Sequence, residues 1–407
     1  LKAIIYLFFI WFFSYKNKIR NHTSERNQLM KLMHLSDLHL GKRVNEFSML
    51  EDQTYILNKI IHIIDEEQPS GIILAGDIYD KPIPPAEAVE LFDDFLYKLS
   101  QRELNVFIIS GNHDSAERIA FGSRLFDKAG IHLSPVYNGN ISPIELSDDF
   151  GKINIYMLPF IKPVHVRRYF PDEEINSYTA AVSTVIDNMH IDTDSRNILI
   201  THQFVTGSSR TESEDISVGG SDNVDASVFK DFDYVALGHI HRSQSCGSEY
   251  IRYCGTPLKY SFSEANDTKS ITVIDIKEKG NIKLDFIPLT PLRDMVEIKG
   301  KYNEIMLKDF YEGSTLRNDY LHITLTDEDD VQDVITKLRV VYKNIMKLDY
   351  DNQRTRNSAE INLINDMESK SPLELFDIFY ESRNGQHLND IQKDFMKNII
   401  EDIWRDK

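Results

Sequence analysis

The chain has 407 residues, 41% of them apolar and 27% charged, which is too long for one ordinary core and predicts two or three domains. Its 46 Lys and Arg against 64 Asp and Glu give a net charge of −18, so bulk electrostatics will not hold it to DNA or to an anionic membrane; on a polyanionic substrate, metal ions or a partner must bring the positive charge. Its two cysteines, Cys246 and Cys254, form no CxxC, which excludes a disulfide scaffold and a sulfur-ligated zinc site and fits free thiols in a reducing cytosol.

The N-terminal stretch LKAIIYLFFIWFFSYKNKIR carries an apolar run from Ala3 to Phe13. A bilayer takes roughly 20 residues, so this run does not span one. No small-residue cleavage site follows it; Lys16, Lys18 and Arg20 do. We expect residues 1–29 to be a non-native extension from an over-long gene start, with the native protein beginning at Met30. A weak membrane anchor is the alternative, and no stable membrane association is expected. Without the five basic and one acidic residues of this segment the net charge is −22.

Apolar runs then alternate with stretches of 3.6-residue period. KLMHLSD (31–37) predicts a strand, residues 47–67 a helix, GIILAGD (71–77) a strand, 86–101 a helix and NVFIIS (105–110) a strand. Residues 116–128 predict another helix. KINIYMLP (152–159) and NILITH (197–202) predict strands flanking a helix near 174–190, and YVALGH (234–239) a further strand. EYIRYCG, SITVIDI and IKLDFI follow at short spacing and predict antiparallel strands. The first half alternates strand and helix, while the later strands lack helices. That predicts an α/β fold of two facing sheets with helices outside, a four-layer α/β/β/α sandwich over residues 30–289.

TPLRDM marks a boundary. Residues 290–350 predict a small α+β capping domain, with strands near 294–299 and 320–325 and a helix at 328–344. A polar linker, 351–370, follows. Residues 371–407 predict a helical hairpin, with Ser371 as N-cap, Pro372 at the first helical position and Glu374 at the third, a capping-box pattern. Its apolar residues Leu373, Phe376, Phe379, Phe395, Ile399, Ile403 and Trp404 are many for a lone hairpin. Such a stripe is usually core; at the end of a chain, after a linker, it also suits a partner-binding surface.

Polar side chains gather where the strands end. SDLHLG gives Asp37 and His39, AGDIYD gives Asp77, and SGNHDS gives Asn112 and His113. ITHQF gives His202, and LGHIHRS gives His239 and His241. A lone His or GD is more often structural. Five strand ends in register are hard to explain as packing, because buried polar groups are costly unless satisfied. Loops beyond the carboxyl ends of α/β strands are also where sites assemble. Imidazole and carboxylate are ligands for Mn²⁺, Fe²⁺ or Zn²⁺. Asp37, His39, Asp77, Asn112, His202, His239 and His241 are too many ligands for one ion with open positions, and suit two ions sharing a bridging carboxylate. Three oxygen donors, four imidazoles and no thiolate favour Mn²⁺ over structural zinc.

D-x-H, GD, GNHD, an isolated His and GHxH, in that order, resemble the calcineurin-like metallophosphoesterase family. HLSDLHLGK, GDIYDKPIPP, GNHDSAERIAFGS, THQFVTGSSRTESE and YCGTPLKYSFSE are more closely similar to its branch of nuclease subunits from bacterial SbcCD complexes. The resemblance runs from Met30 to the C-terminus and is softer through 292–348. It implies that Asp37, His39, Asp77 and His241 bind a first divalent ion and Asp77, Asn112, His202 and His239 a second, with Asp77 bridging. His113 would be the catalytic residue that protonates the leaving 3′ oxygen. Two such ions can hold the attacking and leaving oxygens of an in-line displacement, and imidazole suits proton donation near neutral pH.

The resemblance also implies an ATPase partner, SbcC, docked by the hairpin at 371–407. The implied activity is a Mn²⁺-dependent 3′→5′ exonuclease on duplex ends and an endonuclease on single strands and hairpins. It would serve DNA repair, replication and recombination in the bacterial cytoplasm, with a possible homodimer through the nuclease domain. A chain at −22 should bind DNA poorly alone, which fits a partner that clamps the DNA. One position departs from the pattern: archaeal and eukaryotic relatives carry a His three residues after the bridging Asp, where this chain has Asp80. Arg118, Tyr260 and Phe262 are implied DNA contacts. His34 is expected to be packed, and Asp114 either orients His113 or caps the following helix. The competing readings are a phosphomonoesterase or phosphodiesterase of the same fold on a non-DNA substrate, and a scaffold with a decayed site. The phosphatases usually show GDxxDRG and GNHE, both absent here, and seven intact ligands argue against decay.

Overall fold

The structure is a computed structural model of the chain. It describes residues 29–102, 104–214, 222–329, 331–353, 355, 373, 376–377, 380–381, 387–389, 392–393, 395–397 and 399. The apolar run at 3–13 lies outside the described residues, as do Ser371, Pro372 and Glu374 of the expected capping box. Contacts divide the chain into two units, Leu1–Asp294 and Met295–Lys407.

The first unit holds two six-stranded sheets. In one, Met30–Leu35, Gly71–Ala75, Asn105–Ile109 and Ile131–Leu133 run parallel. Ser270–Ile276 pairs antiparallel with Met30–Leu35, and Ile282–Pro288 completes the edge as a hairpin. In the other, Gly151–Leu158, Arg196–His202, Tyr234–Gly238 and Ser248–Tyr253 run parallel. Ile144–Asp148 and Gln244–Cys246 flank them antiparallel. The parallel strands are near-continuous Ile, Val and Leu because both of their faces are covered. Leu32, Ile73, Phe107, Ile155, Ile200 and Ala236 from alternate positions of both sheets share one core between them. On the far side of the second sheet, Leu199, Val235 and Leu237 pack with Ala181, Val182 and Val185 of the helix Tyr178–Asp187. The helices Leu50–Glu67 and Ala86–Ser100 join the first three parallel strands of the first sheet, as parallel crossovers require. The fold is the four-layer sandwich.

Two local expectations change in this unit. Residues 116–128 do not form one helix; Ala116–Ile119 and Ser123–Phe126 are single turns broken at Gly122. The 3.6 period there places Phe121 and Leu125 on the surface, 81% and 76% exposed, rather than in a core. EYIRYCG is not the first of three antiparallel strands, for it lies parallel to Tyr234–Gly238 in the second sheet, while SITVIDI crosses to the first. The edge strands at 131–133, 144–148 and 244–246 carry little continuous apolar sequence and gave no signal.

The second unit contains a parallel sheet in the order Met295–Gly300, Tyr320–Leu325, Asn344–Tyr350. Ile298, Leu321, Ile323, Leu338 and Tyr342 lie in its core. The helix expected at 328–344 is only Val334–Arg339, because Asp333 sits at φ +53 before it and a third strand begins at Asn344. The described residues at 373–381 and 392–399 are helical, and His387–Asn389 between them is not. Among the described residues, no helix is long and apolar enough to cross a membrane.

Candidate functional site

Five parallel strands, three from the first sheet and two from the second, deliver their carboxyl ends to one place. Asp37 and His39 follow Met30–Leu35, Asp77 follows Gly71–Ala75, and Asn112 and His113 follow Asn105–Ile109. His202 closes Arg196–His202, and His239 and His241 follow Tyr234–Gly238. The sheets can approach so closely because Gly238 has no side chain; a Cβ there would run into the Ala75 carbonyl. Gly111 likewise leaves room for the Asp77 carboxylate. The loops then turn sharply: Asp37, His39, Asp77 and His239 take φ of +54, +45, +49 and +106. Non-glycine residues there cost roughly 1–3 kcal/mol each, offset by backbone bonds such as Asp37 N–H to the Gly76 carbonyl and His39 N–H to the Asp77 carbonyl, both 3.0 Å.

All eight residues singled out in the sequence meet here. His39 Nε2 lies 3.1 Å from His241 Nε2 and 3.7 Å from Asp77 Oδ2. Asp77 Oδ2 is also 3.4 Å from His202 Nε2 and 3.9 Å from His113 Nε2. Asn112 Oδ1 is 3.0 Å from His202 Nε2 and 2.8 Å from His239 Nδ1. Three groups have ligand atoms within 4.8 Å of one another: Asp37, His39 and His241; His39, Asp77 and His113; Asp37, Asp77 and His202. Asp37 accepts from the His239 amide at 3.1 Å, which ties the two sheets together at the site.

The protonation pattern tests whether a cation fits. His202 Nδ1 donates to the Ala75 carbonyl at 2.9 Å, which leaves its neutral Nε2 as a lone pair. That lone pair faces Asn112 Oδ1 and Asp77 Oδ2, and oxygens of these kinds only accept. A proton or a metal ion satisfies such a junction. Burial alone would push the His202 pKa down, but Asp77 and Asp37 raise it to about 9. The acidic pocket thus demands positive charge at this nitrogen. Burial pushes His39 and His239 well below the usual imidazole range, despite Asp77, so they are held in the neutral, ligating form. Burial would raise Asp77, but His202, His39 and His113 outweigh it and hold the carboxyl well below its usual range. Burial lifts Asp37 to about 6, against the pull of His202 and His241. Buried imidazoles and carboxylates converging without thiolate form a donor set for divalent metal.

Residues that the sequence did not single out set the orientation of the imidazoles. Ser213 Oγ donates to Glu264 Oε1 at 2.6 Å, and Lys269 Nζ to Glu264 Oε2 at 2.5 Å. Burial opposes ionisation of Glu264, but His241 and Lys269 outweigh it and hold the carboxyl well below its usual range. With its one proton given to Glu264, Ser213 accepts from His241 Nδ1 at 2.6 Å, so the His241 Nε2 lone pair points into the site. Ser213 and Glu264 lie in the quoted stretches THQFVTGSSRTESE and YCGTPLKYSFSE, but only the fold shows that they meet. Asp114 takes neither expected role. It accepts from the amides of Ile78, Tyr79 and Gly111 at 3.1, 2.9 and 2.9 Å, clamping the Asp77 loop to the Asn112 loop, and Ser115 caps the next turn. Asp80 pairs with Lys42 at 2.8 Å, while its backbone carbonyl accepts from His113 Nδ1 at 3.1 Å. Tyr260 is 3% exposed and gives its hydroxyl to the Leu38 carbonyl at 2.6 Å, so it braces the His39 loop and is not open to DNA. Arg118 is exposed and Phe262 half-buried. His34 is packed as expected, with its Nδ1 at hydrogen-bonding distance, 3.0 Å, from the Tyr234 hydroxyl.

Residues 30–243 match the family model for calcineurin-like phosphoesterases. Residues 291–384 match the model described as type 5 capsule protein repressor C-terminal domain. The chain is 34% identical over 378 residues to the SbcD chain of the SbcCD nuclease of Staphylococcus epidermidis, covering 91% of this chain and 98% of that protein. Among solved structures, a dimetal phosphatase from Danio rerio aligns at a TM-score of 0.38 and 13% identity over 64% of this chain and 99% of its own. The protein TT1561 of Thermus thermophilus aligns at 0.38 and 12%, with the same coverage.

Proposed function

The chain belongs to the calcineurin-like phosphoesterase family and, within it, to the SbcD nuclease subunits, and from that premise we propose that it hydrolyses DNA phosphodiester bonds as the nuclease subunit of an ATP-dependent complex. The observation that carries this reading is the junction at His202, where a ligating nitrogen faces two acceptor oxygens and calls for a cation. Asp37, His39, Asp77 and His241 would hold one ion and Asp77, Asn112, His202 and His239 another. Such ions, most suitably Mn²⁺, would supply Lewis acidity and a hydroxide nucleophile at neutral pH.

The protein's own contribution is positional. Asn112 offers an oxygen ligand without adding negative charge beside the substrate phosphate. His113 gives its Nδ1 proton to the Asp80 carbonyl, so any proton it passes to a leaving oxygen must come from Nε2. That atom carries a proton only when the ring is doubly protonated. Asp114 holds the two loops in register, and the Ser213–Glu264 pair keeps His241 in its ligating tautomer. The proposal extends to SbcC as the ATPase partner, docked by residues 371–407. It also extends to 3′→5′ exonuclease and hairpin endonuclease activity in repair, replication and recombination, to a cytoplasmic site of action and to a homodimer through the nuclease domain. The net charge of −18 supports a partner that supplies the DNA grip.

The test is cleavage of a DNA hairpin and of a duplex end with Mn²⁺, with and without the ATPase subunit, beside a phosphomonoester control. Cleavage that depends on Mn²⁺ and rises with the partner is the expected result. A protein that turns over only the monoester would refute the nuclease reading.

A further inference from the structure

A cleft of about 700 Å³ opens against the wall of the site formed by Asn112 and Asp114. Its volume lies within the roughly 300–1,000 Å³ of small-molecule sites. The far walls are aromatic. Tyr137 meets Tyr169 edge-on with ring centroids 5.7 Å apart. Phe160 meets His202 edge-on at 6.3 Å, so the aromatic wall begins at the metal-binding cluster itself. Two exposed cations stand over these rings: Lys162 Nζ is 6.0 Å from the Phe160 centroid, and the Arg168 guanidinium is 5.9 Å from that of Tyr169. Tyr137 is 7% exposed, and its hydroxyl is buried without a hydrogen-bond partner among the described residues. An unsatisfied buried hydroxyl is costly, and a group that lines a cleft can be satisfied by what enters it.

Aromatic faces, a stranded hydroxyl and flanking cations describe one ligand chemistry, a nucleotide. Aromatic rings stack any base, hydroxyls read base edges and Lys or Arg meets phosphate. In a chain of net charge −18, the cations at this wall stand beside Asp114 and Glu117 of the same cleft and against the general field. We propose that the cleft is a nucleoside subsite that takes the base and sugar adjoining the scissile phosphate. The base lies among Tyr169, Phe160 and the Tyr137 hydroxyl, and Lys162 and Arg168 face the neighbouring phosphate. This rests on the phosphodiesterase reading above. A base seated there has left its stack, which costs least at frayed ends, loops and single strands. The subsite therefore selects unpaired nucleotides through geometry rather than sequence.

Small chromogenic diesters test it on the full chain with Mn²⁺. The probes are the p-nitrophenyl esters of thymidine 5′- and 3′-monophosphate, methyl p-nitrophenyl phosphate, which lacks a nucleoside, and the monoester p-nitrophenyl phosphate. We expect one thymidine ester to show a KM about tenfold below that of the methyl ester, the size of one base–aromatic stack. Tyr169→Ala should raise that KM toward the methyl value with a smaller change in kcat. Tyr137→Phe, which removes only the hydroxyl, should erode the same preference. Equal KM for thymidine and methyl esters in the wild-type protein overturns the subsite, as does a preference that survives the Tyr169→Ala, Tyr137→Phe double variant. Turnover of the monoester alone overturns the phosphodiesterase reading instead.

Discussion

His39 and His241 bring their Nε2 atoms to within 3.1 Å of each other, although 202 positions separate them in the chain. His241 is aimed there by Ser213, whose hydroxyl is spent on Glu264 and can only accept from Nδ1. Ser213→Ala removes that acceptor while keeping every ligand. Metal affinity should fall about 10–100-fold, the usual effect of losing a partner behind a ligating imidazole. Titration calorimetry with Mn²⁺ measures it, and unchanged affinity would show that the tautomer is set by something else.

His113→Ala separates proton donation from metal binding. His113 Nε2 is 3.9 Å from Asp77 Oδ2, close enough to belong to a ligand group by distance. If it acts on the leaving group, the variant should keep two ions per chain while cleavage falls about 10²–10⁴-fold. Elemental analysis of the dialysed protein that finds one ion missing would make His113 a ligand.

Asp114→Ala leaves the amides of Ile78, Tyr79 and Gly111 without their shared acceptor. Hydrogen bonds to a charged group are worth about 1.5–3 kcal/mol each, and some of the three will find water. A loss of about 2–4 kcal/mol in urea unfolding is expected, with weaker metal binding because the Asp77 and Asn112 loops separate. An unfolding midpoint equal to that of the wild type would refute the clamp.

His34 gives the fold an acid-sensitive point outside the candidate site. Burial, and then the charge of Arg252, lower its pKa from 6.5 to about 3. Between those values the unfolded chain binds the proton and the folded chain does not. Stability from this residue is therefore complete above pH 6.5 and declines as the pH falls toward 3, by up to about 1.4 kcal/mol per unit. His34→Gln should flatten this slope in urea melts taken between pH 6.5 and 4.5 in the presence of chelator. A slope identical to that of the wild type would show that other groups carry it.

The candidate cluster was legible because its residues sit in short motifs at strand ends, and a strand's period and a loop's polar residues are local properties. Asp37, His39, Asp77, Asn112, His113, His202, His239 and His241 could be named from the chain alone, as could the layered α/β architecture. The support behind them could not. Ser213, Glu264 and Lys269 are ordinary surface residues by composition, and their chain to His241 exists only where three distant segments meet. The broken turns at 116–128 were misread for the same kind of reason, since a 3.6 period reports a possible apolar face and not whether anything covers Phe121 and Leu125.

Sequence by itself therefore determined which polar atoms are brought to the strand ends, and the order of strands that carries them. The tertiary structure decided how those atoms are used. Asp114, open between two local roles, proved to be a clamp between loops, and Tyr260, an implied DNA contact, proved to be buried bracing. The left-handed turns at Asp37, His39 and Asp77 and the near-contact of Gly238 with Ala75 across the two sheets belong to the folded chain. Orientation, tautomer and burial depend on neighbours far away in the chain, so no local pattern of residues encodes them.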